Sequence, residues 1–120
     1  MEKKEQTIKM EERLAIAEQC FFQLKYTKDR DWLQKHLHDE FIECGKSNQL
    51  YDKQVTIESL LQLKEDRKIT MQDFSCMRVD VHTWMVHYTT LHDGQLFYRT
   101  SLWIENDGLQ LLFHQATLLK

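Results

Sequence analysis

Glu43, Tyr88, Arg99, Ser101 and His114 are the side chains of this sequence whose types suit work on a small molecule. Glu43 stands between apolar neighbours in Phe41-Ile42-Glu43-Cys44, a setting in which burial raises the pKa of a carboxyl group toward that of a general base. His114 carries an imidazole that ordinarily titrates near working pH, so it can shuttle a proton or serve as a hydrogen-bonded wall residue. Tyr88 and Arg99 lie in two strand-like stretches that also hold Trp84 and Trp103. Aromatic rings gathered around one fixed positive charge suit a small anionic or carbonyl-bearing ligand.

Other chemistries lack their residues. Ser101 has no Gly-x-Ser-x-Gly setting, and Cys20, Cys44 and Cys76 occupy no nucleophile motif. Three glycines in the whole chain cannot build a phosphate-cradling loop, so no nucleotide cofactor is expected. His82 and His87 differ in strand parity, and His36 and His38 diverge on a helix, so no metal site is expected either. With 16 basic against 19 acidic residues and a net charge of -3, the chain has no positive excess to track a nucleic-acid backbone. An odd, widely spaced set of cysteines argues for a reduced, cytoplasmic setting. No stretch has the apolar length of a signal peptide or a membrane span, so neither export nor a membrane partner is expected.

The elements that must position these residues follow from periodicity. In 120 residues, 42% hydrophobic and 11% aromatic, one core is expected, hence one domain over 1–120 with residues 1–6 a flexible N-terminus. Met10, Leu14, Ala17, Phe21 and Leu24 recur at helical spacing from Thr7 to Tyr26. Asp29 caps a short second helix with Trp32, Leu33, His36 and Leu37, and Asp52 a third over about Lys53 to Leu63. A short strand covers Phe41 to Cys44, stopped by Gly45 and the polar run Lys46, Ser47 and Asn48. Four more strands are expected near Met71 to Val79, Thr83 to Leu91, Leu96 to Glu105 and Leu109 to Leu119. Helices first and strands after is the layout of an α+β fold.

Asp93-Gly94 and Asp107-Gly108 suit tight hairpin turns, so the last three strands form an antiparallel meander. A two-residue turn at Asp93-Gly94 sets Tyr88 opposite Arg99, Val86 opposite Ser101 and Trp84 opposite Trp103, all on one face. In the next hairpin a three-residue loop, Asn106 to Gly108, brings Gln115 to face Arg99, whereas a two-residue loop turns His114 inward instead. We take the first register, with Gln115 in the hollow. The other face then carries Met85, Leu102, Leu112, Ala116 and Leu118, an apolar set that a homodimer would cover.

Three motifs in this order, Phe41-Ile-Glu-Cys-Gly45 with Tyr51-Asp-Lys53, Arg99-Thr-Ser-Leu-Trp103, and Phe113-His-Gln-Ala-Thr117, give the chain a resemblance to a known family. From about Thr7 to its end it resembles the domain-of-unknown-function 4440 branch of the nuclear transport factor 2-like superfamily. The resemblance implies a cone-shaped α+β barrel, three N-terminal helices packed on a curved antiparallel sheet, its mouth between helices and sheet. Relatives in that superfamily include ketosteroid isomerase, scytalone dehydratase, polyketide cyclases and non-catalytic dimerisation modules. The pocket signature carried over is Glu43, Arg99, Ser101, Trp103 and one or both of His114 and Gln115, with Tyr51 downstream. Ala116 departs from the pattern, which usually has Gly there, and Cys44 stands where an aromatic or aliphatic residue is commoner.

Three functions stay open on these residues. The first is a small-ligand-binding domain whose pocket of Tyr51, Trp84, Tyr88, Arg99, Ser101 and Trp103, anchored by Glu43 and Gln115, takes a small organic acid or carbonyl compound. The second is a cofactor-independent isomerase, dehydratase or cyclase with Glu43 as general base, Arg99 or Tyr88 stabilising an oxyanion and His114 a further catalytic candidate. The third is a non-catalytic dimerisation or protein-interaction module whose pocket is filled by its own side chains; against the role of Glu43 as a base stands a buried structural ion pair of Glu43 with Arg99.

Overall fold

The structure is a computed structural model that describes residues 2–45 and 48–120, the side chains of 2–4 excepted. Helix α1, Glu2–Cys20, buries Met10 and Leu14 and packs Ala17 against the core, as its spacing requires. It stops six residues before the expected end. Phe21, Phe22 and Gln23 bond back only three residues, to the carbonyls of Glu18, Gln19 and Cys20, and a separate turn, α2 Leu24–Thr27, follows. The backbone groups freed by this break find partners far along the chain: Leu24 N donates to Asp66 Oδ1 at 2.5 Å, and Arg67 Nη2 donates to the Phe21 carbonyl at 2.6 Å.

Helix α3, Arg30–His36, opens on Asp29, whose carboxylate accepts from Trp32 N at 3.2 Å. Strand β1, Leu37–Cys44, begins four residues before the expected one. A short β2, Leu50–Asp52, pairs with β1 and was not anticipated, since its three residues are too few for a periodic signal. Helix α4, Lys53–Leu61, is capped by Asp52 through Val55 N at 2.9 Å and turns Thr56 and Ile57 inward. Lys53 ties it to its neighbours by bonds to the Gln34 carbonyl (2.9 Å) and Asp39 (3.0 Å).

Strands β3 Thr70–Arg78, β4 Thr83–His92, β5 Gln95–Glu105 and β6 Leu109–Leu118 complete one six-stranded sheet in the order β2-β1-β6-β5-β4-β3. All neighbours are antiparallel except β1 and β6, which run parallel, so the first strand joins the last. Strand β4 alternates strictly, with Trp84, Val86, Tyr88 and Thr90 buried. The Asp93-Gly94 turn takes the positive φ values of 50° and 74° that a tight hairpin needs, and the β4–β5 register is the expected one.

The β5–β6 hairpin does have a three-residue loop, Asn106 to Gly108, with Glu105 opposite Leu109. Leu112 is then an extra residue: Trp103 faces Leu111, but Leu102 faces Phe113 and Ser101 faces His114. This bulge undoes the expected register beyond it. Further irregularities interrupt the β1–β6 pairing between Leu37 and Ile42, and the β3–β4 pairing near Asp73, which has φ 56°. Together they curve an unclosed sheet around a core of Leu14, Leu33, Leu37, Phe41, Ile57, Val86, Tyr88 and Trp103 between sheet and helices.

Candidate functional site

Between α4, the α4–β3 connection and the concave face of the sheet lies a cavity of about 260 Å³. Glu43 and Tyr51 reach it from β1 and β2, Arg99 from β5, His114 and Ala116 from β6, Thr56 and Leu60 from α4, and Arg67 from the connection. A smaller inner chamber of about 80 Å³ shares Glu43, Thr56, Leu60, Arg67, Arg99 and His114 with it and extends to Glu18, Phe22 and Phe41. Pockets for drug-sized molecules run from roughly 300 to 1,000 Å³, so this one suits something smaller.

A directed chain of hydrogen bonds fixes the back wall. Arg99 donates from Nε to Thr90 Oγ1 at 2.7 Å and from Nη1 to His114 Nε2 at 3.2 Å. A guanidinium cannot accept, so Nε2 offers its lone pair and the imidazole proton sits on Nδ1, which donates to Ser101 Oγ at 2.8 Å. Ser101 in turn bonds to the carboxylate of Glu18 on α1. Glu18 also accepts from the Tyr88 hydroxyl and from Trp103 Nε1, the latter at 2.6 Å. Burial pushes the Glu18 pKa up, while bonds from Tyr88, Ser101 and Trp103 and the charge of Arg99 pull it back.

The same environment keeps His114 neutral. Burial first, then the positive charges of Arg99 and Arg67, lower its pKa to about 3. It is therefore an acceptor for Arg99 at neutral pH. Glu43, by contrast, is raised by burial, with Arg99 and Arg67 opposing and Glu18 adding to the rise. Arg67 is lowered by burial and by Arg99. Both guanidiniums lie over the Phe22 ring, at 5.6 Å for Arg67 and 5.1 Å for Arg99, and Arg99 also lies 5.7 Å from Phe97. Thr56 Oγ1 is buried and has no hydrogen-bond partner among the described residues.

Of the residues singled out by sequence, Glu43, Tyr51, Arg99 and His114 line the cavity. Tyr88, Ser101 and Trp103 are brought together as expected, but beneath the cavity, where they hold Glu18. Trp84 is buried farther off, with Arg78 5.9 Å from its ring. The expected aromatic floor under Arg99 is made by Phe22 and Phe97 in place of Tyr88. Gln115 points away from the hollow and is exposed, while Ala116, expected outside, faces in, both because of the Leu112 bulge.

Glu18, Arg67, Thr56 and Phe22 were missed. Glu18 had a signal: it stands four residues after Leu14 and eight after Met10, a carboxylate on the apolar stripe of a helix. Arg67 had none, being one cation in the charged run from Lys64 to Lys68.

Solved structures share this architecture. A nuclear transport factor 2-like (NTF2-like) protein from Cytophaga hutchinsonii is similar at a TM-score of 0.73 and 17% identity, over 90% of this chain and 97% of that one. An NTF2-like protein of unknown function in nutrient uptake from Rhodospirillum rubrum gives 0.70 and 18%, over 89% and 98%. A putative calcium/calmodulin-dependent kinase II association domain from Exiguobacterium sibiricum gives 0.62 and 17%, over 92% of each. At these identities the likeness is one of fold, and the fold is the NTF2-like α+β cone. No family model and no curated protein matches the sequence, so the narrower branch named above rests on its motifs.

Proposed function

We propose that this chain is a small-ligand-binding domain whose cavity takes a small organic acid or carbonyl compound. The observation that carries this reading is the convergence of Arg67 and Arg99 on one small cavity. A guanidinium has five donors. Among the described residues Arg99 spends hydrogen bonds on Thr90 and His114, and Arg67 on the Phe21 carbonyl, which leaves N–H groups on both for a ligand. Phe22 and Phe97 hold the Arg99 guanidinium in place, so little side-chain freedom is lost on binding. The experiment is a thermal-shift screen of small carboxylic acids and ketones: some should raise Tm in the wild-type protein and not in Arg99→Ala. A screen in which none does so counts against the reading.

A second reading, a cofactor-independent isomerase or lyase, has one observation in its favour. Glu43 lines the same cavity, and burial lifts its pKa toward the range of a general base. Its test is turnover of a ligand found by the screen, which Glu43→Gln should abolish while binding persists. We also propose that two copies pair through the convex face of the sheet. Met77 is exposed there, and Met85, Leu102 and Phe113 are half-buried.

A further inference from the structure

Glu43, Arg67 and Arg99 share one small cavity, so a ligand that occupies two of them alters the third. We infer that the cavity takes up a small monocarboxylate and one proton together, the carboxylate held between Arg67 and Arg99 and the proton taken by the Glu43 carboxyl. This rests on the ligand-binding reading above and gives its ligand class and its coupling.

Burial raises the Glu43 pKa, and the two guanidiniums are what oppose that rise. A carboxylate seated on them takes over their charge and their free N–H groups, sets a negative charge beside Glu43, and fills the space next to it, which deepens its burial. All three effects favour the protonated form of Glu43. The other groups facing it do not reverse this. Glu18, from α1, acts to raise the Glu43 pKa further, and His114, from β6, is neutral and already donates its proton to Ser101. Tyr51, from β2, and His92, from β4, line the outer part of the same cavity.

Protonated Glu43 gains a donor, and Thr56, which lines both chambers, has a buried hydroxyl with no partner among the described residues. That hydroxyl can accept from Glu43 or bond to the ligand. No bond is made or broken beyond the transfer of a solvent proton to Glu43. By linkage, a site that gains a proton on binding loses about tenfold in affinity per pH unit between the Glu43 pKa of the free protein, above the ordinary 4.5, and its higher value in the complex.

The test is calorimetric titration of the whole chain with propionate, pyruvate and benzoate, in Bis-Tris and in Tris, cationic buffers whose ionisation heats differ. The expected result is close to one proton taken up per carboxylate bound, with affinity falling as pH rises. Glu43→Gln should bind with a heat independent of buffer and an affinity nearly independent of pH, and Arg67→Gln or Arg99→Gln should weaken binding at least tenfold. Binding without proton uptake by the wild-type protein, or uptake that persists in Glu43→Gln, overturns the inference and leaves the pocket reading standing. No binding of any of the three acids by folded protein overturns the inference, and a thermal-shift screen in which no ketone binds either overturns the pocket reading as well. The proton count needs only the wild-type chain, so the result does not hang on the folding of a variant.

Discussion

His114 and Ser101 carry the pH behaviour and part of the stability of the back wall. The folded pKa of His114, about 3, lies below the ordinary 6.5, so the unfolded chain binds its proton first and stability falls as pH drops from 6.5 toward 3. At roughly 1.4 kcal/mol per pH unit the whole window amounts to about 5 kcal/mol at most. Glu18 and Glu43 act with opposite sign, since their raised pKa values cost stability as pH rises above 4.5. Below 4.5 the loss from the histidine runs beside that from Asp39, Glu58 and Asp80, whose lowered pKa values act with the same sign, and His114→Asn should show a flatter fall of urea-derived stability between pH 4.5 and 3 than the wild type. Ser101→Ala should cost about 1–3 kcal/mol in the same assay at pH 7, because it leaves the buried Nδ1–H of His114 without an acceptor. Glu43 and Arg99 were legible because they stand in local sequence patterns. Arg67 was not, since what distinguishes it from Lys64 or Lys68 is a distant partner, the Phe21 carbonyl.

Among the elements, those with local signals came through and those set by tertiary partners did not. Asp29 and Asp52 were readable as helix caps and are caps, so Asp29→Ala and Asp52→Ala should each cost about 1 kcal/mol in chemical denaturation. The Asp-Gly turns and the β4–β5 register were equally legible, because turn geometry propagates along a regular ladder. The break after Cys20 was hidden, since Asp66 and Arg67 satisfy it from outside the helix. The Leu112 bulge was hidden too. The loop has the expected three residues, but one inserted residue exchanges Gln115 for His114 at the pocket wall.

Over the whole molecule, the sheet turns one face to the helices and leaves the other partly bare. Met77 at 49% and Tyr98 at 42% exposure, beside Met85, Leu102 and Phe113, make the bare face the surface for the proposed pairing of two copies. Sedimentation should give twice the chain mass of 14.6 kDa, and Leu102→Asp should give the single-chain mass without loss of fold. A wild-type protein that sediments as one chain at all concentrations would end that proposal. The α+β class and the site-bearing face followed from the alternation of β4 and β5. The parallel contact of β1 with β6 did not, because pairing between distant strands leaves no trace in local periodicity.

That contact governs when the pocket can first exist. Glu43 pairs with His114, so the wall is assembled from opposite halves of the chain. While the ribosome is still making the protein, Glu18 and Glu43 emerge well before Tyr88, Arg99 and Trp103, which bond or oppose them. Nascent chains stalled before Leu109 should therefore be cut readily by protease, and resistance should appear in one step once β6 has been released.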